Sequence, residues 1–212
     1  MKSNWSETVI LADADYVDSV AFQLIVNFER MLGRRIPKAD MAQWLVCAAL
    51  DGGLRPTAEC ESGKLQTSAI FTYTKAVMAN FTPGDLVSEV NGQAFMDEHL
   101  GEFSLSAYPV ESMVDGSQFF IDVLDTICSQ PEVKRLIVIP NVEQPGVVDM
   151  VRQCLRHHEE LASKQSSSNV QVTLLAMQPL PGGSFRQEML GYSLMAALGI
   201  RGEEVTQNLG GR

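Results

Sequence analysis

Val9-Ile10-Leu11-Ala12-Asp13-Ala14-Asp15-Tyr16-Val17-Asp18 is the stretch that decides the fold of this chain. An apolar run leads directly into three closely spaced aspartates, and a helical pattern begins at Val17. In an α/β protein, a parallel strand presents carboxylates in this way at the carboxyl edge of its sheet, where ligands bind. The stretch therefore predicts a strand over 8–13, a helix over 17–32 and a candidate functional site between them.

The length and composition of the chain favour a single domain over residues 1–212. The chain has 212 residues, and 45% of them are hydrophobic, which is enough for a full core. The sequence has no internal repeat and no linker long enough to separate two domains.

Downstream of the first helix, the pattern alternates between strands and helices. Further strands are predicted at 67–74, 102–110, 136–140 and 170–177, and further helices at 38–50, 116–129, 146–162 and 184–198. The segment 75–100 is ambiguous, and 93–100 is compatible with a short helix. This alternation predicts a three-layer α/β sandwich with a largely parallel sheet of about five strands.

Several features favour a cytoplasmic location. No apolar run reaches the roughly 20 residues that a membrane-spanning helix needs, and the amino terminus lacks the pattern of a secretory signal. The four cysteines are far apart and form no CxxC pair, which indicates free thiols in a reducing compartment. They are Cys47, Cys60, Cys128 and Cys154.

The net charge of −10 disfavours nucleic acid as a partner, because affinity for nucleic acid depends on basic side chains that neutralise phosphates. One basic cluster remains near the end of the first helix, formed by Arg30, Arg34, Arg35 and Lys38. It either complements the helix dipole or binds phosphate. RNA is therefore a disfavoured partner that the sequence does not exclude.

Further carboxylates occur where the layout would bring them toward Asp13 and Asp15. Asp115 precedes the helix before the fourth strand, Asp122 lies two turns into that helix, and Glu143 follows the fourth strand. A group of carboxylates is an oxygen-rich, hard ligand set that suits Mg²⁺ or Mn²⁺. Such a metal can activate water and stabilise the charge that develops on a phosphodiester.

Other kinds of site have little support in the sequence. No GxSxG elbow, Walker A loop or dinucleotide-binding glycine motif is present, so nucleophilic and nucleotide-cofactor catalysis are disfavoured. His157 and His158 are expected on the solvated face of their helix. Residues 185–198 are apolar on more than one face, which indicates either deep burial or a homodimer surface.

Three short motifs resemble those of the NYN domains, a branch of the PIN-like nuclease fold. Leu11-Ala12-Asp13-Ala14-Asp15-Tyr16 is similar to the signature at the end of the first strand of that family. The run from Val114-Asp115 to Ile121-Asp122 is similar to its acidic helix, and 136–139 occupies the place of a later strand that ends in further aspartates. In element order, the resemblance covers most of residues 8–178.

The resemblance implies a metal-dependent ribonuclease or phosphodiesterase with Mg²⁺ or Mn²⁺ as cofactor. Asp13, Asp115 and Asp122 would be the catalytic and metal-binding carboxylates. Asp15 would be a second ligand or a hydrogen-bond anchor, and Glu143 an outlying carboxylate. The chain departs from the family pattern at Pro140-Asn141-Val142-Glu143-Gln144, where the expected aspartates are missing.

This departure leaves a second hypothesis open, namely that the chain is a catalytically inactive relative that acts as an interaction or regulatory module. Each carboxylate also has a structural interpretation. Asp13, Asp15 and Asp115 are suitable helix N-caps, and Asp122 and Glu143 are suitable solvent-exposed residues. A third alternative is an unrelated flavodoxin-like fold in which the acids are only caps.

Overall fold

The opening stretch forms the central strand of the sheet. The computed structural model describes residues 5–56, 66–165, 169–183 and 185–209. In it, β1 (Thr8–Asp13) pairs in parallel with a strand on each side. Its apolar residues from Val9 to Ala12 are fully buried, as expected for a strand that is covered on both faces.

The remaining elements follow in chain order. The other strands are β2 (Ala39–Asp40), β3 (Gln66–Tyr73), β4 (Phe81–Thr82), β5 (Ala94–Asp97), β6 (Gly101–Pro109), β7 (Arg135–Ile139), β8 (Gln171–Ala176) and β9 (Arg186–Met189). The helices are α1 (Ala14–Leu32), α2 (Met41–Asp51), α3 (Gly116–Cys128), α4 (Val147–Gln165), α5 (Leu190–Ala197) and α6 (Gly202–Leu209), with a π-helical turn at Leu86–Val90.

Seven strands form the main sheet, in the order β5-β6-β3-β1-β7-β8-β9. All neighbours pair in parallel except β5 with β6, and β2 and β4 form a separate two-stranded sheet. Numbered along the chain, the six parallel strands have the order 3-2-1-4-5-6 of a doubly wound sheet. A flavodoxin-like sheet has a different order, so that alternative does not describe this fold.

Helices cover both faces of the sheet. Ile10 and Ala12 of β1 belong to a core that includes buried residues of α1, α2 and α5. Val9 and Leu11 belong to a second core, which includes buried residues of α3 and α4. Successive side chains of a strand point to opposite faces, so these two cores lie on the two sides of one sheet. The predicted α/β class with a largely parallel sheet is confirmed.

The prediction of about five strands is wrong, because the main sheet has seven. One missed strand, β9, lies inside the helix predicted at 184–198, where the structure has a four-residue strand followed by α5. Phe185, Met189 and Leu190 have spacings that also fit a helix, so periodicity alone could not separate a short strand from the helix after it.

The second missed strand is β5, in the segment where the sequence is compatible with a short helix at 93–100. It is an edge strand that pairs antiparallel with β6, and its alternation is too short to stand out in sequence. Helix α6 was not predicted either, and Arg34 holds it through an ion pair with Glu204 at 2.8 Å.

In the segments that the structure describes, no helix is long and apolar enough to cross a membrane. Cys60 and parts of the loops predicted at 53–65 and 164–169 lie outside the described residues.

Candidate functional site

The topology places a candidate site between the carboxyl ends of β1 and β7. These strands are neighbours, yet β1 leads into α1 on one face of the sheet and β7 leads toward α4 on the other. Chain connections that diverge in this way open a crevice, and doubly wound proteins bind ligands there. The site predicted from the sequence after β1 therefore lies at the position where a sheet of this topology usually binds a ligand.

Asp13 is the residue at the end of β1, and it caps α1. Its Oδ1 accepts a hydrogen bond from the backbone N–H of Tyr16 at 3.0 Å. The pKa of the Asp13 carboxyl is raised from 3.8 to about 6, mainly by burial and to a smaller extent by the charge of Asp15, while the Tyr16 N–H opposes the shift. Asp13 is therefore both a helix cap and a carboxyl that gains or loses its proton near pH 6.

The hydroxyl of Tyr16 is influenced by the charges of carboxylates at the ends of both β1 and β7. The Tyr16 side chain is only 3% exposed, and among the described residues its hydroxyl has no hydrogen-bond partner. Burial raises the pKa of Tyr16 to about 12, and the charges of Glu143 and Asp13 add to the effect. The Tyr16 hydroxyl thus stays protonated, within electrostatic reach of carboxylates that follow β1 and β7.

Asp15 fixes the chain that follows β3. Its Oδ2 accepts hydrogen bonds from the backbone N–H and the hydroxyl of Thr74, at 2.7 and 2.6 Å, and its Oδ1 accepts one from the Lys75 N–H at 3.0 Å. One turn further along α1, Asp18 accepts hydrogen bonds from the backbone N–H and the side-chain amide of Asn80. Asp15 thus has the anchoring role that was one of its three predicted roles, and the N-cap of α1 is Asp13, not Asp15.

The other predicted carboxylates lie on α3 and after β7. Asp115 is the N-cap of α3 and accepts a hydrogen bond from the Gln118 N–H at 3.0 Å. Asp122 is exposed on that helix and accepts a hydrogen bond from the Gln118 side-chain amide at 2.7 Å. Glu143 is exposed in the loop after β7.

These five carboxylates do not form a compact ligand group. Among the described residues, one set of three potential ligands lies with all its ligand atoms within 4.8 Å of one another, and it consists of Asp125, Cys154 and His158. The structure therefore places Asp13 and Asp15 at the predicted edge without bringing Asp115, Asp122 and Glu143 into a shared cage with them. Six-coordinate Mg²⁺ depends on such convergence of oxygen ligands.

The Asp125, Cys154 and His158 group was missed in sequence, where His158 was expected to be solvated. His158 is only 18% exposed, and its Nε2 lies 2.8 Å from Oδ1 of Asp125. The available signal was the spacing of four residues between Cys154 and His158, which puts both on one face of a helix. Burial raises the pKa of Cys154 to about 11 and that of Cys128 to about 12, so both thiols keep their protons at neutral pH.

A cavity of about 410 Å³ lies beside this group, between the end of α3, the second half of α4 and the start of β8. Its lining combines apolar residues such as Leu155, Val172 and Phe185 with polar ones such as His158 and Glu159. This cavity is at the amino edge of the sheet, where β7 and β8 begin, and so is separate from the crevice after β1.

A smaller recess of about 220 Å³ lies on the outer side of α1. Phe22 and Val77 line it together with Asp15 and Asp18. Both apolar residues are more than half exposed: 55% of the surface of Phe22 and 53% of that of Val77 is accessible to solvent. Residues 19–28 of α1 contain no charged residue, so the outward face of this helix is neutral over almost three turns.

A family model described as "Family of unknown function (DUF6621)" matches residues 2–205, which is nearly the whole chain. The chain belongs to this family. The residues that match DUF6621 include all strands of the main sheet and helices on both of its faces. No curated protein and no solved structure is significantly similar to this DUF6621 chain.

Proposed function

We propose that this DUF6621 protein is a non-catalytic interaction module, and that it pairs with a second copy of itself through the outward face of α1. The observation that supports the loss of catalysis is the use of the edge carboxylates. Asp13 and Asp115 cap helices, and Asp15 accepts three hydrogen bonds from residues 74–75. In such a module, the acids that resemble a PIN-like metal site are helix caps and hydrogen-bond acceptors within the chain.

The α1 face supports the interaction role. Phe22 and Val26 lie one turn apart, and both are exposed on a helical face without charges. The centres of protein interfaces are depleted of charged residues and enriched in aromatic ones. A solvated helix of an acidic protein would instead be expected to carry charges on this face.

The charge of the chain favours a second copy as the occupant of this face. Each chain carries a net charge of −10, so two copies repel each other wherever acidic surfaces meet. Contact through a neutral helix face brings the fewest like charges together, so the electrostatic repulsion between the two copies is smallest there. A two-fold axis would bring α1 against its own copy in an isologous contact. Helix α5, where a homodimer surface is the other predicted alternative, packs one side against α2.

Sedimentation velocity of three chains tests this proposal. The wild type is expected to have twice the mass of one chain, and Phe22→Glu to have the mass of a monomer, because the variant places a charge at the centre of the contact. Tyr192→Glu is the matched control, since Tyr192 is a 70% exposed aromatic residue on α5, and it is expected to remain dimeric. A monomeric wild type, or equal dissociation of both variants, would contradict the proposed pairing.

A second candidate function is the metal-dependent phosphodiesterase that the NYN resemblance implies. The observation in its favour is Asp13, a carboxyl with a pKa of about 6 at the end of the central strand. Perturbed carboxyls in such crevices are frequent general acids, general bases or metal ligands. In this alternative Asp13 would hold Mg²⁺ or Mn²⁺, with Asp15, Asp115, Asp122 and Glu143 recruited on binding.

The proposed setting is the cytoplasm. The three described cysteines, Cys47, Cys128 and Cys154, are free thiols, which is typical of a reducing compartment. RNA remains a disfavoured partner because of the net negative charge.

A further inference from the structure

Helices α3 and α4 bring a second set of polar side chains together, far from the crevice after β1. Asp125 on α3 and Cys154 and His158 on α4 have one ligand atom each within 4.8 Å of the others. Asp125 Oδ1 and His158 Nε2 are already 2.8 Å apart. The two helices pack side by side on one face of the sheet, so the backbone fixes the positions of all three residues.

The spacing of these residues is that of a site built on facing helices. Cys154 and His158 are four residues apart and therefore lie on the same face of α4. Asp125 belongs to the last turn of α3, where it faces His158 across the helix pair. Sites on helices hold their ligands more rigidly than sites on loops do.

The ligand types select the class of metal. A thiolate, an imidazole and a carboxylate form a mixed set that suits Zn²⁺, whereas Mg²⁺ and Ca²⁺ prefer oxygen ligands alone. The geometry points to a Zn²⁺ site formed by Asp125, Cys154 and His158. We propose that these three side chains bind one Zn²⁺ ion and that a water molecule takes the fourth tetrahedral position.

The surroundings fit a site that is open on one side. The Asp125 side chain is 58% exposed, whereas His158 is 18% exposed. Water can therefore reach the group from the Asp125 side, while the helices close the other side. Binding would replace the proton of the Cys154 thiol with the metal, release that proton to solvent, and separate Asp125 from His158 enough to admit the ion.

This site is independent of the proposed pairing through α1. It lies on the other face of the sheet, in the layer formed by α3 and α4. Its function would be to join those two helices beside the 410 Å³ cavity, which His158 also lines. A metal that binds only the folded chain raises its melting temperature.

The test is a titration of the metal-free full-length chain with Zn²⁺, followed by calorimetry, with Co²⁺ as a spectroscopic substitute. The wild type is expected to bind one Zn²⁺ per chain, to melt at a higher temperature with Zn²⁺, and to give a thiolate-to-Co²⁺ absorption band. Cys154→Ser and His158→Gln are each expected to weaken Zn²⁺ binding at least tenfold, and Cys154→Ser to abolish the band. Circular dichroism of both metal-free variants checks that they fold.

Cys47→Ser is the matched control, because Cys47 is also a half-buried free thiol but lies in α2 on the opposite face of the sheet. This variant is expected to bind Zn²⁺ as the wild type does. Zinc binding that survives both Cys154→Ser and His158→Gln would overturn the proposal. So would a wild type that binds no Zn²⁺, or a Cys47→Ser chain that loses binding to the same extent as Cys154→Ser.

Discussion

The carboxylate of Asp15 is joined to Thr74, 59 residues later in the chain, by hydrogen bonds from the Thr74 backbone N–H at 2.7 Å and from its hydroxyl at 2.6 Å. This pair links the start of α1 to the chain that leaves β3. It explains how an acidic residue at the sheet edge contributes to the fold without a metal.

Removing the Asp15 carboxylate should destabilise the fold. Asp15→Ala eliminates the three hydrogen bonds that the Asp15 carboxylate accepts. We therefore expect the free energy of unfolding to fall by about 1–3 kcal/mol. Asp15→Asn keeps an acceptor oxygen and should lose less. Urea unfolding of the three chains measures both effects. Unchanged stability in Asp15→Ala would show that this link contributes little.

Replacing Asp13 should change how stability depends on pH. The pKa of Asp13 is raised from 3.8 to about 6 in the folded chain, so folding favours its protonated form. Its contribution is fully present below about pH 4 and is lost as the pH rises through about 6. Asp13→Asn keeps an acceptor for the cap but has no charge to bury. At pH 7.5 this variant should be more stable than the wild type by about 3 kcal/mol.

This advantage of Asp13→Asn should shrink as the pH falls and should vanish near pH 4. Urea unfolding of both chains at several pH values between these limits measures the difference. A difference that does not vary with pH would mean that the Asp13 carboxyl has an ordinary pKa in the folded chain.

Two carboxylates of α3 should respond differently to the same substitution. Asp115→Ala removes the N-cap and should lower the free energy of unfolding by about 1 kcal/mol, whereas Asp115→Ser should restore most of it. Asp122→Ala should be nearly neutral, because Asp122 is exposed and its described hydrogen-bond partner is the Gln118 side chain on the same helix. Thermal unfolding distinguishes the two positions, and equal losses at both would contradict these assignments.

The proposed dimer should become tighter with added salt. The contact through α1 is neutral while each chain carries a net charge of −10, so screening removes repulsion without weakening the contact itself. Raising the salt from about 0.05 M to about 0.5 M shortens the screening length several-fold and should lower the dissociation constant. Sedimentation equilibrium measures this trend. A dimer that dissociates in high salt would instead depend on ion pairs.

The sequence predicted the features that depend on local patterns. The apolar run from Leu136 to Ile139, closed by Pro140, identified β7, and the aspartates after Ala12 identified the carboxyl edge of β1. A helix cap was the alternative to a metal ligand at Asp13 and Asp115, and the sequence could suggest it because capping depends on the residue type and on backbone groups within one turn.

The missed features depend on contacts between distant parts of the chain. Thr74 becomes the partner of Asp15 only when β1 and β3 pair, and His158 meets Asp125 only when α3 and α4 pack side by side. The strand β9 has four residues and no distinctive alternation, so it is specified by its pairing with β8. Such relationships follow from tertiary packing, which periodicity along one element does not encode.

Mn²⁺-dependent hydrolysis of a labelled single-stranded RNA, measured for the full-length wild type and for Asp13→Asn, distinguishes a non-catalytic module from a phosphodiesterase. The edge carboxylates cap helices or accept hydrogen bonds within the chain, so we expect no cleavage by the wild type beyond that of Asp13→Asn. Cleavage by the wild type that requires Mn²⁺ and disappears in a folded Asp13→Asn variant would rule out a non-catalytic module and establish the phosphodiesterase.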